Sequence, residues 1–148
     1  MTYASLSPRR GANVYARLGM ETSAMSASPH QLIVMLFDGA IGAIGMARHH
    51  MAARRVAEKG LSISKAISIV EEGLKAALDA DAGGPAGAEL VANLSALYDY
   101  IVRRLMVANL RNDAAALDEA ERLLQSVASA WREADPHANV APAAMAAA

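Results

Sequence analysis

The sequence contains no cysteine and very few aromatic side chains. Of its 148 residues, 54% are hydrophobic but only 4% are aromatic. Without cysteine the chain cannot carry out thiol catalysis, form a disulfide or hold a cysteine-ligated zinc ion or haem. With so few rings, its core must consist of Leu, Ile, Val, Ala and Met. Because a composition rich in Ala and Leu and poor in β-branched residues favours helix over strand, the fold class is predicted to be all-α.

The chain also lacks an excess of charge and a long apolar run. It has 14 basic and 15 acidic residues, a formal net charge of −1, whereas proteins that bind nucleic acid usually carry a clear positive excess. Residues 1–30 show no secretory signal, and no stretch of about 18 uninterrupted apolar residues occurs. We therefore expect a cytoplasmic protein, in line with the absence of cysteine, with no nucleic-acid partner and no membrane insertion.

Four helical patterns follow one another along the chain. The first begins at a capping box formed by Ser28 and Gln31, with Pro29 at the first helical position. A strong turn signal at residues 81–87 separates the second pattern from the third, and Asn112-Asp113 separates the third from the fourth, which Asp113 is expected to cap. Short connections between long helices predict an antiparallel four-helix bundle. The predicted helices cover residues 28–53, 56–79, 87–111 and 114–134.

The predicted bundle domain covers residues 28–135, with flexible segments on both sides. Residues 1–12 are polar and are predicted to form a flexible N-terminal tail. Residues 13–27 carry isolated apolar positions and are predicted to form a separate segment before the bundle. Residues 136–148 are rich in Ala and Pro, have little to bury and are predicted to be disordered.

The first and third helices have more apolar surface than one bundle face requires. On the third helix the apolar positions cover roughly half of the circumference, and the start of the first helix is apolar nearly all round. Three glycines on the first helix permit close approach of another backbone. Two interpretations stay open: packing inside the bundle, or an exposed groove for a partner helix or for the chain's own N-terminal segment. The glycines are Gly39, Gly42 and Gly45.

No group of side chains has the spacing of a catalytic or metal-binding site. Di-iron bundles use two Glu-x-x-His pairs, and this sequence has none. His49 and His50 are adjacent and diverge by about 100° on a helix, and His30 is expected to be solvated in the first turn of its helix. We therefore predict no catalytic residue, no metal and no cofactor. A metal–carboxylate enzyme is the alternative, which elemental analysis would reveal.

The charged residues are interpreted mainly as solvated helix faces. Asp99 and Arg103, four residues apart, are expected to form an ion pair on one helix. A basic cluster near the end of the first helix either complements the helix terminus or contacts an acidic partner. This cluster consists of Arg48, His49, His50, Arg54, Arg55 and Lys59. The predicted solvated face of the fourth helix contains Asp118, Glu119, Glu121 and Arg122.

Several motifs resemble those of the flagellar secretion chaperone (FliS) family. The most specific is Ser28-Pro-His-Gln-Leu-Ile-Val-Met-Leu-Phe-Asp-Gly-Ala40. It is followed, in the order and spacing typical of the family, by Leu97-Tyr-Asp-Tyr100 and Ala108-Asn-Leu-Arg-Asn-Asp113. Asn13-Val-Tyr15 and Trp131 agree with the same family. The resemblance covers about residues 11–134.

This resemblance implies a four-helix bundle that binds the disordered C-terminal segment of unpolymerised flagellin. Such a chaperone prevents premature polymerisation and presents flagellin to the cytosolic domain of the flagellar type III export gate. The resemblance also implies that residues 13–27 form a latch over the empty groove, and that Tyr15 acts in latching and in docking at the export gate. A homodimer of the client-free chain is left open.

The expected flagellin groove lies on the apolar stripes of the first and third helices. A helix-in-groove chaperone can occupy the same apolar stripe that flagellin uses for assembly. The expected contact residues are Leu32, Leu36, Leu94, Tyr98, Ile101 and Leu105. The main alternative is a regulatory helical bundle that self-associates or binds another helical regulator.

Overall fold

Four long helices make up the described part of the chain. The computed structural model describes residues 27–79 and 84–134, and no strand occurs within them. The predicted flexible tails lie outside these ranges, as does nearly all of the predicted latch. The helices are α1 (Pro29–Ala52), α2 (Val56–Ser68), which continues as a π-helix (Ile69–Lys75), α3 (Gly84–Arg111) and α4 (Ala114–Glu133).

The helices pack as an antiparallel four-helix bundle, which confirms the predicted fold class. α1 and α3 each pack against α2 and α4. Arg48, late in α1, contacts Asp118, early in α4, and Lys59, early in α2, contacts Asn109, late in α3. The bundle therefore has two distinct ends. We call the end where α1 and α3 begin the proximal end, and the end where they finish the distal end.

Two helix starts follow from capping residues that the sequence predicts. The Ser28 hydroxyl accepts a hydrogen bond from the backbone N–H of Gln31 at 3.2 Å, and the Gln31 side-chain oxygen accepts one from the backbone N–H of Ser28 at 2.9 Å. This confirms the capping box at the start of α1. A carboxylate oxygen of Asp113 accepts from the backbone N–H of Ala116 at 3.2 Å and caps α4 in the same way.

The second helix differs from the single α-helix predicted over residues 56–79. It is α-helical to Ser68, continues as a π-helix and ends at Lys75. A π-helix bonds residues five apart and has a wider turn than an α-helix. An apolar repeat of three or four residues predicts a helix but does not reveal this widening. The wider turns coincide with two pairs of adjacent buried residues, Ile69 with Val70 and Gly73 with Leu74.

The core is aliphatic, as the composition predicts. Phe37 and Tyr98 are the buried aromatic side chains of the described residues, and the other buried side chains are Leu, Ile, Val and Ala apart from Lys59. Fully buried alanines occur on all four helices, which allows the helix axes to approach closely. Examples are Ala47, Ala66, Ala108 and Ala120.

α1 is also long and apolar enough, by length and composition, to cross a membrane. Within its most apolar window, 44% of the residues are buried inside the structure. This is weak evidence for a span, because a core helix of a bundle has the same length and composition. The expectation of no membrane insertion therefore stays a prediction.

Gly73 lies where α2 and α1 approach too closely for a larger side chain. A Cβ atom added to Gly73 would lie 2.8 Å from Cδ2 and 3.1 Å from Cδ1 of Leu36. A Cβ added to Gly42 or Gly45 would meet no atom within 4 Å in the described part of the chain. The glycine at 73 is therefore required by packing, whereas Gly42 and Gly45 face open space.

The variant Gly73→Ala is expected to lower the free energy of unfolding by about 1–3 kcal/mol, the usual cost of overpacking a core. This loss outweighs the gain in helix propensity of about 1 kcal/mol. Gly45→Ala is the matched control and is expected to raise the free energy of unfolding by up to about 1 kcal/mol. Urea unfolding followed by circular dichroism measures both. Equal effects of the two substitutions would contradict a close approach at Gly73.

Candidate partner-binding site

The start of α3 extends beyond the helices that cover the rest of it. α3 has 28 residues and α4 has 20. Because a two-residue turn joins them and each residue adds about 1.5 Å, α3 is longer by about 12 Å. The Nζ atom of Lys75, the last helical residue of α2, lies 2.6 Å from a carboxylate oxygen of Asp99. The part of α3 before Asp99 therefore extends past the helical part of α2 as well.

This extension leaves part of an apolar stripe uncovered. From Tyr98 onward, α3 buries a residue every three or four positions, whereas no residue in 84–97 is buried. Leu90 is 58% exposed, and Leu94 is half-buried. By helical spacing, these side chains continue the core stripe toward the proximal end. We call this surface the α3 shelf; it consists of the exposed Leu90 and of the half-buried Val91, Leu94 and Leu97, of which Leu94 and Leu97 pack against the edge of the core.

A second apolar surface lies on α1, turned away from its core stripe. Met35 is half-buried, Met46 is 52% exposed and Gly42 between them is exposed. Their spacing of seven and four residues places them on one side of the helix. Because a Cβ on Gly42 or Gly45 would meet no atom of the described residues, tight packing inside the bundle does not explain these two glycines. We call Met35, Gly42 and Met46 the α1 strip.

Ion pairs join α1 to α4 along their shared edge. Arg48 pairs with Asp118 at 2.9 Å and also with Glu121. Arg132, near the end of α4, pairs with Asp38. The hydrogen bond to Glu121 is the main cause of the raised pKa of Arg48. Asp118 and Glu121 were predicted to be part of a solvated face; Asp118 is exposed and Glu121 is half-buried, and both also bridge two helices, which was not predicted.

The His30 ring lies against Trp131 at the proximal end of the same edge. The two rings stack with centroids 4.8 Å apart and an interplanar angle of 9°. The indole N–H of Trp131 donates to the backbone carbonyl of His30 at 3.3 Å. The prediction that His30 is solvated in the first turn was therefore wrong, because Trp131 on α4 covers its ring.

Asp99 pairs across two helices instead of along one. Its carboxylate contacts Lys75 on α2, whereas the predicted partner was Arg103 on α3. The Arg103 guanidinium carbon instead lies 5.8 Å from the centroid of the Tyr100 ring, within cation–π range. Helical spacing shows which charges are neighbours on one helix but does not show which charges another helix brings closer.

Glu119 accepts two hydrogen bonds on the edge between α3 and α4. The Tyr100 hydroxyl and the Arg104 Nε atom each donate to it at 2.6 Å. The bond from Tyr100 is the main cause of the lowered pKa of Glu119, and the same bond raises the pKa of Tyr100. These groups hold helices together.

Within residues 27–79 and 84–134, no group of three or more His, Cys, Asp or Glu side chains could hold a metal ion.

Comparison with known proteins shows which family has this fold and these motifs. The family model described as "Flagellar protein FliS" matches residues 11–138. The chain is 51% identical over 129 residues to the flagellar secretion chaperone FliS of Salmonella typhimurium, covering 87% of this chain and 93% of that protein. The chain belongs to the FliS family.

The sequence of the chain is also similar to those of other members of the FliS family. The identity is 47% over 124 residues with the Escherichia coli protein, covering 84% of this chain and 88% of that protein. The identity with the Bacillus subtilis protein is 32% over 114 residues, covering 77% of this chain and 80% of that protein. These relatives are named flagellar secretion chaperones, and a chaperone is not an enzyme class. The resemblance found in the sequence motifs is confirmed.

The structure separates the six residues expected to contact flagellin. Leu94 lies on the α3 shelf and is half-buried. The other five, at most 3% exposed, are in the bundle core: Leu32, Leu36, Tyr98, Ile101 and Leu105. Burial raises the pKa of Tyr98 to about 12. Tyr15, the expected latch residue, lies outside the described residues. The contact roles of all seven stay predictions.

The sequence-based choice did not include the exposed leucine of the α3 shelf, Leu90, or the exposed methionine of the α1 strip, Met46, of this FliS-family chain. Leu90, Met46 and Leu97 were passed over in favour of residues at the centre of each stripe. Helical periodicity identifies a stripe but does not show where its neighbours end. The unequal lengths of the third and fourth helices were the signal in the sequence that could have located the α3 shelf.

Proposed function

We propose that this chain binds the disordered C-terminal segment of flagellin in the cytosol, prevents its premature polymerisation and delivers it to the flagellar type III export apparatus. The observation that carries this proposal is the α3 shelf, an apolar stripe that the described bundle covers only in part. Membership in the FliS family supports an exported flagellar client. The identity of that client and its delivery are proposals about this chain.

The α3 shelf suits an amphipathic client segment. An isolated helix of this kind has an apolar stripe that it must bury against another surface. The shelf offers apolar positions at steps of one turn, the spacing that a helix-in-groove complex requires. A client that folds as it binds loses several kcal/mol of interaction energy to ordering, so a broad apolar surface is needed. Occupying the client's stripe blocks its use in filament assembly.

The α1 strip suits a second stretch of the same client. Methionine side chains are flexible and polarizable, and they adapt to partners of different shape. Gly42 lies between Met35 and Met46 in open space, so a client backbone can approach α1 there. This explains why α1 retains glycines that cost about 1 kcal/mol each relative to alanine.

The latch proposal is consistent with where the bundle begins. Ser28 caps α1 at the proximal end, and the α3 shelf is at the same end. Ser28 is thirteen positions after Tyr15 in the sequence, and an extended chain of that length reaches at most about 45 Å. Residues 13–27 are therefore long enough to cover the shelf in the absence of client.

Leu90→Glu is expected to weaken capture of flagellin about tenfold or more, because it removes the burial of one leucine and places a charge in the apolar contact. Leu110→Glu is the matched control, since Leu110 is 82% exposed on the distal part of the same helix. Titration calorimetry with the flagellin C-terminal segment measures both. Helical circular dichroism should match the unmodified protein in both variants.

Two outcomes would contradict the proposed client site. One is equal affinity of Leu90→Glu and the unmodified chain for the flagellin segment. The other is undiminished capture of flagellin that lacks its C-terminal segment. If the chain is instead a self-associating regulator, Leu90→Glu would change its mass in solution and leave flagellin unbound in all variants.

Tyr15→Ala is expected to raise the affinity for the flagellin segment, because a weakened latch competes less with the client, and to lower flagellin export in cells. Tyr3→Ala in the predicted N-terminal tail serves as the control and should change neither. Calorimetry and the amount of secreted flagellin provide the two measurements. A large loss of helical circular dichroism in Tyr15→Ala would show that Tyr15 is a core residue and not a latch.

A further inference from the structure

The distal end of the bundle contains a cavity lined mainly by basic side chains. The turn from α1 to α2 and the turn from α3 to α4 meet there and enclose about 400 Å³. This volume falls within the range of small-ligand pockets. The cationic or titratable lining residues are His50, Arg54, Arg55 and Lys59, and Val56 and Asn112 lie beside them. None of the lining residues is acidic.

Lys59 is a buried cation without a counter-charge in the described part of the chain. Lys59 is only 3% exposed. The Nζ atom donates to the backbone oxygen of Asn109 at 2.9 Å and to the side-chain oxygen of Asn112. Both acceptors are neutral, and burying a charge is costly unless it is paired. A negatively charged occupant of the cavity would supply the missing charge.

His50 also lines the cavity. Its Nδ1 atom is buried and has no hydrogen-bond partner among the described residues. Buried polar atoms are nearly always hydrogen-bonded in native proteins. The Nε2 atom of His30 at the proximal end is likewise buried without a partner among the described residues, so the cations of the cavity, and not the His50 nitrogen, indicate the charge of an occupant.

The two arginines at the mouth of the cavity are free to bind an anion. Arg54 and Arg55 are exposed and make no ion pair within the described residues, whereas Arg48, Arg104 and Arg132 are all paired. Arg54 has a left-handed backbone with φ of 59°. The N–H of Arg54 donates to the Met51 carbonyl at 3.1 Å and that of Arg55 to the His50 carbonyl at 2.9 Å, which fixes the turn.

The start of α2 adds positive potential at the same place. Its N-cap residue, Arg55, makes no side-chain capping hydrogen bond. The first N–H groups of a helix carry partial positive charge and favour an anion. Glu58 in the first turn of α2 is not among the residues that line the cavity.

We propose that this cavity is a binding site for an acidic side chain of a peptide segment from a protein partner. The cationic lining, with no acidic residue among it, favours a negatively charged group such as a carboxylate. Val56 is 68% exposed beside the cationic residues, which favours a segment where an apolar residue adjoins the acidic one. α1 has 24 residues, so this site lies about 36 Å from the start of the bundle and is separate from the α3 shelf.

The test uses a fluorescein-labelled peptide that alternates Glu and Leu, and a matched peptide with Gln in place of Glu. Fluorescence anisotropy should show binding of the Glu peptide only, weakened by salt because the contact is electrostatic. The double variant Arg54→Gln with Arg55→Gln should bind the Glu peptide about tenfold more weakly or worse. The double variant Lys65→Gln with Arg122→Gln removes the same charge at exposed positions elsewhere and should bind normally.

Several results would overturn this proposal. Equal binding of the Gln peptide would place the contact on an apolar surface such as the α3 shelf. Equal weakening in both double variants would show a net-charge effect without a site. Displacement of the peptide by inorganic phosphate at the peptide's own concentration would indicate a small-anion site instead of a peptide site. All four substituted residues are exposed, and thermal unfolding confirms that each variant is folded.

Discussion

A helix can bury its apolar stripe only where neighbouring helices run beside it. In this bundle α3 has 28 residues and α4 has 20, and the helical part of α2 ends near the middle of α3. The stripe of α3 nevertheless continues without a break toward its first turn. Because of this difference in length, the same residue pattern is buried in the core from Tyr98 onward and is not buried before Tyr98. The α3 shelf follows from this single constraint.

The two ends of the bundle consequently have opposite chemistry. At the proximal end, apolar side chains of α3 remain uncovered, and stacking of His30 on Trp131 closes the edge between α1 and α4. At the distal end, two tight turns bring together cations around a cavity that has no acidic residue among those lining it. The net charge of −1 does not show this polarity, because it is a sum over the whole chain. The α3 shelf and the basic cavity are therefore separate surfaces, at opposite ends of the bundle.

Sequence reasoning predicted the features that depend on local chemistry. The capping box at Ser28, the cap at Asp113 and the all-α bundle follow from residues close together in the chain, and the structure confirms them. Features set by contacts between helices were missed or predicted wrongly. Asp99 pairs with Lys75 because α2 lies beside it, and Gly73 is needed because Leu36 is 2.8 Å from where its Cβ would be.

The candidate site was predicted only in part, for the same physical reason. The stripes of α1 and α3 were recognised from periodicity, and Leu94 lies on the uncovered part. Helical periodicity does not show where along the bundle a residue lies. Leu32, Ile101 and other central positions were therefore chosen, and these are buried. The basic cluster near the end of α1 was noted, but the burial of Lys59 at a cavity is a result of helix packing and has no signal in the sequence.

Amide hydrogen exchange along α3, with and without the flagellin C-terminal segment, tests the role of the α3 shelf most directly. In the free chain, amides at residues 84–97 should exchange faster than those at 98–111, because buried neighbours protect only the second range. Added flagellin segment should slow exchange at residues 84–97 and leave 98–111 nearly unchanged. Equal protection of both ranges in the free chain, or slowing confined to other helices, would contradict an uncovered stripe that serves as the client site.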